Sequence, residues 1–137
     1  MTPADHLQAA QTIAVVGCSD RLTRTSHQIA RYLQDAGYTI VPVNPEIDAA
    51  LGLTSYPDLA AVPADVRIDI VNIFRRPSAA AAMVEDAVAR AAQQEHPPVV
   101  WPQLGVHTPA AEATATAADL PYVKGHCIRV VHQLQME

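Results

Sequence analysis

Residues 13–20 read IAVVGCSD. Four apolar residues closed by Gly17 form a short buried strand, and the polar loop behind them leads into a helix pattern. A strand that runs into a glycine turn and then a helix is the opening unit of a nucleotide-binding α/β domain. The unit brings a glycine and a helix N-terminus together, where backbone N–H groups without a helical acceptor can receive a phosphate. The loop does not continue as G-x-G-x-x-G, because Cys18, Ser19 and Asp20 follow Gly17 and the next glycine is Gly37. A phosphorylated cofactor is expected, held by something other than the ordinary dinucleotide fingerprint.

Outward from this unit, strands and helices alternate. Thr2-Pro3-Ala4-Asp5 is a helix start, with a threonine cap and a carboxylate three residues on. Thr25 or Ser26 is expected to cap the next helix, Thr25 and Gln28 having capping-box spacing, and Gly37 ends it. Residues 38–43, YTIVPV, form a second strand, although Pro42 is unwelcome inside a central strand and pairing should fade there. Residues 46–67 are irregular, with one short helix near 57–61. DIVNIF (69–74) is a third strand, and a long helix opens at Arg75-Arg76-Pro77 and stops at Pro97-Pro98. Residues 99–101 form a fourth strand, Thr108-Pro109 starts an alanine-rich helix, 121–123 is a short fifth strand, and CIRVVHQLQ closes the chain as a helix. The pattern predicts an α/β, doubly wound, Rossmann-like parallel sheet of about five strands with helices on both faces. With strand order 3-2-1-4-5, its crevice would lie between the first and fourth strands, bordered by residues 17–26 and 102–106.

The chain of 137 residues is half apolar, which is expected to make one domain over 1–137 with a full core. A formal charge of −5 argues against nucleic acid as a partner. No apolar stretch is long enough for a membrane span and MTPADHLQ has no signal-like pattern, so a cytoplasmic location is expected. Two distant cysteines give neither a metal spacing nor a disulfide framework.

Arg21, Arg24, Arg75, Arg76 and Lys124 all fall just after predicted strands, five of the nine Lys and Arg residues. Such crowding on one edge of an acidic protein points to a polyanionic ligand, and the guanidinium fork suits phosphate. An NAD site usually carries a carboxylate at the end of the second strand, where this chain has Asn44. NADP or coenzyme A, with an extra ribose phosphate, both remain open at this point.

The segments IAVVGCSD, RTSHQIARYLQDAGY, VPVNP, DIVNIFRR, WPQLGV and CIRVVH, in this order, resemble the small bacterial CoA-binding proteins. These are single Rossmann-like domains similar to the N-terminal, CoA-binding domain of the succinyl-CoA synthetase alpha subunit. The resemblance spans Ile13 to His132 and implies coenzyme A or an acyl-CoA as ligand. It implies that Gly17 and Ser19 face the pyrophosphate, that Arg24 and Ser26 stand at the helix entry, and that Asn44 and Pro45 lie near the adenosine. It further implies cofactor contacts for Phe74, Arg75 and Arg76, for the turn Gln103, Leu104 and Gly105, and for Cys127. The chain departs from the family at Leu22 and Thr25, where proline is common, and at Gly125-His126, where an Asp-Arg pair is common. The synthetases keep their phosphorylated histidine and ligase chemistry in further domains, for which this chain has no room.

No acid–base or nucleophile spacing stands out, and Ser19 lacks a G-x-S-x-G setting, so no catalytic residue and no metal ligand is expected. The reading is a non-catalytic binding module for CoA or acyl-CoA. The alternatives are an NADP-dependent oxidoreductase and a redox or interaction protein working through Cys18 and Cys127. His107 and His126 are expected near the ligand, and Arg75 and Arg76 at a sheet edge beside Asn44, reading the CoA 3′-phosphate.

Overall fold

The computed structural model describes residues 1–135. Helix α1 (Pro3–Ala9) begins as its sequence dictates, with Thr2 Oγ1 accepting from the Asp5 amide and the Asp5 carboxylate accepting from the Thr2 amide. Strand β1 (Thr12–Val16), helix α2 (Thr25–Asp35) and strand β2 (Thr39–Val43) follow. The irregular stretch contains a small hairpin, β3 (Ala49–Ala50) and β4 (Leu53–Thr54), and a 3₁₀ turn over Leu59–Ala61 capped by Asp58. Strand β5 (Ile70–Ile73), helix α3 (Pro77–Ala91), strand β6 (Val99–Pro102), helix α4 (Pro109–Ala117) and helix α5 (Ile128–Gln135) complete the order.

The protein is an α/β, Rossmann-like fold on a four-stranded parallel sheet in the order β2-β1-β5-β6. This corrects the expected order. The third main strand, β5, lies beside β1 in the middle of the sheet, and β2 lies at an edge. Pro42 then stays in register with Val15 without cost. Its carbonyl points away from β1 and accepts from the Tyr56 amide at 3.0 Å, and an N–H at that position would point the same way. No bond to β1 is lost, as suits proline on an edge strand. The expected fifth strand reduces to a single parallel bridge between Val100 and Tyr122.

Side chains alternate across the sheet and fill two cores. Ala14, Val16, Val71 and Val100 pack with Ala80, Val84, Ala111 and Ala115 of α3 and α4. Ile13, Val15, Ile70 and Trp101 pack on the other face with Leu7, Ile29, Leu33 and Ile128 of α1, α2 and α5. Burying side chains of this size contributes about 1.5–3 kcal/mol each. After β1 the chain therefore turns to one face, and after β5 it turns to the other. Adjacent strands whose connections leave on opposite sides make the crevice of an open α/β sheet, which lies here between β1 and β5 rather than between the first and fourth strands.

Candidate functional site

Three backbone bonds carry the sheet ladder one step past the strand ends. The Gly17 amide donates to Val43 O at 2.8 Å, Phe74 N to Val16 O at 2.8 Å, and Gln103 N to Ile73 O at 3.0 Å. Gly17, Phe74 and Gln103 thus stand side by side at the C-terminal edge of the sheet. Above them opens a cleft of about 1070 Å³, lined by the β1–α2 loop, Asn44, Glu46 and Ile47, Phe74 to Arg76, and Gln103, Leu104 and Val106. Pockets for small ligands commonly span about 300–1,000 Å³, so the cleft has room for a nucleotide-sized molecule.

Arg21, Arg24, Arg75 and Arg76 all line the cleft. Among the described residues none of them makes an ion pair, although Asp20 and Glu46 line the same space. Every other cation is occupied. Arg31 pairs with Asp35, Arg67 with Asp69, and Lys124 with Glu112 at 2.8 Å, while Arg129 lies 5.4 Å from the Tyr32 ring centroid. Arg90 is buried and donates to the carbonyls of Leu59, Val62, Pro63 and Val66. Lys124, expected in the cluster, is removed from it by its partner on α4.

The helix ends repeat this contrast. Helices α1 and α4 carry side-chain caps, from Thr2 and Thr108. Helices α2 and α3, whose N-termini open on the cleft, have arginines at the N-cap, Arg24 and Arg76, with no side-chain cap and no acidic residue in the first turn. Neither Thr25 nor Ser26 caps α2: Ser26 Oγ accepts instead from the Ser19 amide at 3.1 Å, and Gln28 Nε2 donates to Leu22 O. A cation at a helix N-terminus opposes the macrodipole, and two such ends facing one space leave a strongly electropositive surface.

Of the residues expected to contact ligand, Gly17, Ser19, Arg24, Ser26, Asn44, Phe74, Arg75, Arg76, Gln103 and Leu104 converge on the cleft. Pro45 lines a smaller cavity of about 90 Å³ next to it, which shares Gly17 and Arg75. Gly105 and Cys127 are not on the cleft lining, and neither are His107 and His126. Cys127 sits behind Gln103, whose Nε2 donates to Sγ at 2.9 Å. His107 Nδ1 is 2.8 Å from the Tyr122 hydroxyl. Burial and the nearby Glu112 carboxylate push the Tyr122 hydroxyl up to about 12, which keeps it protonated. Arg75 and Arg76 emerge at the centre of the sheet, since β5 is central, and not at an edge beside Asn44. Thr23 lines the cleft within the expected stretch 17–26, whereas Glu46 and Ile47 line it without having been expected to. Glu46 is placed there when its amide donates to Asn44 Oδ1 at 2.9 Å, an Asx turn of the kind Asn favours before a strand-end proline.

Several of these side chains build the site rather than face outward. Asn44 Nδ2 donates to Cys18 O at 2.9 Å, bracing the end of β2 against the β1–α2 loop. The Ser19 amide is spent on Ser26, and Ser19 Oγ accepts from the Arg21 amide at 3.0 Å, so only its hydroxyl proton remains for a ligand. Cys18 is fully buried; burial and the charge on Asp20 push its thiol up to about 11. A thiol so protonated is a poor nucleophile, which argues against redox chemistry at Cys18. Trp101 is fully buried and belongs to the core.

A model of the CoA binding domain family matches residues 11–133. An uncharacterized protein of Bacillus subtilis (strain 168), YneT, is 40% identical over 126 residues, covering 92% of this chain and 88% of its own length. A hypothetical protein from Pyrococcus horikoshii OT3 superposes with a TM-score of 0.90 at 28% identity, over 100% of this chain and 94% of its own. A Thermus thermophilus protein gives 0.82 at 29% identity, with 98% of each chain covered.

Proposed function

This chain belongs to the CoA binding domain family, and from that premise we propose that it binds coenzyme A or an acyl-CoA in the cleft between β1 and β5, as a binding module. The observation that carries the reading is the set of four arginines left without carboxylate partners in a protein with an excess of acid. Self-repulsion among them is unfavourable in the empty cleft, and a polyphosphate ligand relieves it. CoA offers two separated anionic centres, the pyrophosphate and the ribose 3′-phosphate, to match the two arginine-capped helix ends.

The first turn of α2 takes the pyrophosphate. Among the described residues the amides of Thr25, Ser26 and His27 have no acceptor, and Arg24 stands beside them. Arg75 and Arg76, across the crevice at the start of α3, take the 3′-phosphate. Phe74, Leu104 and Val106 supply apolar ground for the pantetheine arm. No step of bond making is assigned to these residues: they bind, neutralise and orient.

Calorimetric titration with CoA, dephospho-CoA and NADP tests this. CoA is expected to bind most tightly. Dephospho-CoA should lose the charge-assisted contacts to the 3′-phosphate, about 1.5–3 kcal/mol, or about ten- to a hundredfold in affinity. Binding of NADP as tight as that of CoA, or no detectable heat with CoA, refutes the reading.

A further inference from the structure

His27 occupies the third position of α2 and is 6% exposed. Its Nδ1 lies 2.9 Å from the carbonyl oxygen of Ser19. A carbonyl only accepts, so Nδ1 carries a proton. Nε2 is buried with no partner among the described residues. The other tautomer would set a lone pair against the Ser19 carbonyl and bury an N–H with no acceptor, so the contact selects one tautomer.

The neighbouring residue completes the arrangement. Ser26 Oγ accepts from the Ser19 amide, so consecutive residues of the first turn of α2 grip both backbone groups of Ser19, one by accepting and one by donating. The loop closed in this way contains Arg21 and Arg24, and the Arg21 amide is itself bonded to Ser19 Oγ. Rotation of the Ser19 carbonyl toward solvent would turn the Ser19–Asp20 peptide and carry Arg21 with it. The His27 side chain is not on the cleft lining, so its influence passes through Ser19.

We propose that His27 is a positioning residue for the cleft: its Nδ1–H, donated to the Ser19 carbonyl, fixes the β1–α2 loop in the shape that presents Arg21, Arg24 and the free amides of α2 to an anion. The gain is preorganisation, since a loop already held in its bound shape loses less entropy when ligand arrives. The binding readout rests on the CoA reading above.

The test compares three variants. The amide nitrogen of asparagine occupies about the position of imidazole Nδ1, that of glutamine about the position of Nε2, and leucine fills the volume with no donor. His27→Leu and His27→Gln should weaken CoA about five- to tenfold in calorimetry, the scale of one neutral hydrogen bond, while His27→Asn stays near wild type. Unchanged affinity in His27→Leu overturns the proposal, and so does an equal loss in all three, which would assign the effect to volume. If His27→Leu does not fold, the glutamine and asparagine variants decide between the same outcomes. A second measurement is independent of any ligand. In the ligand-free protein, imidazole ¹⁵N shifts should show a proton on Nδ1, and amides of residues 20–24 should exchange faster in His27→Gln than in His27→Asn. A proton on Nε2, or equal exchange, overturns the proposal, whereas failure of wild type to bind CoA would sink the function reading alone.

Discussion

Gly17 and Gly37 both sit in left-handed backbone, at φ +88° and +106°, but their surroundings differ. A Cβ on Gly37 would meet nothing within 4 Å. A Cβ on Gly17 would lie 2.1 Å from the carbonyl oxygen of Phe74 and 3.0 Å from its carbonyl carbon. Those are backbone atoms of the next strand end, held by the Phe74 amide bond to Val16 O, and they cannot swing aside as a side chain would. Alanine in left-handed backbone costs about 1–2 kcal/mol, and that is the whole cost expected for Gly37→Ala. Gly17→Ala adds overpacking at a close contact, about 1–3 kcal/mol more, for a total of about 2–5 kcal/mol. With a urea m value near 2 kcal/mol/M, the Gly37 variant should shift the unfolding midpoint down by about 0.5–1 M and the Gly17 variant by about 1–2.5 M. The paired comparison cancels the conformational cost and leaves the contact. Equal shifts would refute the reasoning. They would mean that Gly17 is a glycine for the sake of the ligand's approach and not for the join between β1 and β5.

Three further outcomes follow from individual residues. Asp86 is held above the usual carboxylate range by burial first, then by Asp58 and Glu85. Its ionised form therefore costs stability above the folded pKa and costs nothing below the unfolded one. Asp86→Asn should stabilise at pH 7, by an amount reduced by solvent screening of this partly exposed group, and the gain should vanish as the pH falls through the acid range toward 3.8; a constant gain at every pH would contradict this. Cys18, fully buried and with its thiol pushed up to about 11, should resist iodoacetamide at pH 8 in the native protein and react on unfolding; prompt alkylation read by mass spectrometry would contradict its placement. Arg90→Met should destabilise by about 3–5 kcal/mol in urea unfolding, because it leaves the carbonyls of Leu59, Val62, Pro63 and Val66, the first two buried, without their donor, while an effect below about 1 kcal/mol would show that water replaces it.

Most of the fold was legible because apolar runs, caps and glycine or proline stops agree with one another along the chain. Strand order was not, since right-handed crossovers allow β5 on either side of β1. One residue did carry the information. Pro42 has no amide to donate, which marks its strand as an edge; that excludes the expected order, where β2 lies inside the sheet, and agrees with the observed one. The β3–β4 hairpin was hidden because its turn, Leu51-Gly52, puts a leucine at φ +58°, where Asn or Asp would have signalled it. Within the site, the arginines of the β1–α2 and β5–α3 loops were legible as a charge cluster. Lys124 was misplaced because Glu112, its partner, is close only in space. The capping expectation for α2 failed for a related reason: Ser26 turns its oxygen to Ser19 instead of the helix, and so leaves the helix amides open.

The central claim is that the unpaired arginines of the cleft hold a phosphorylated ligand, and its most direct test is calorimetry of CoA against two double variants. Arg24→Ala/Arg76→Ala removes one arginine from each cleft-facing helix end, and Arg31→Ala/Arg67→Ala removes the same charge from sites where each arginine already pairs with a carboxylate. The first should weaken CoA by at least about a hundredfold, from two charge-assisted contacts of about 1.5–3 kcal/mol each, while the second stays within about threefold of wild type after screening. Equal losses in the two variants would reduce the cleft to a general charge effect, and full retention of CoA by Arg24→Ala/Arg76→Ala would contradict the account.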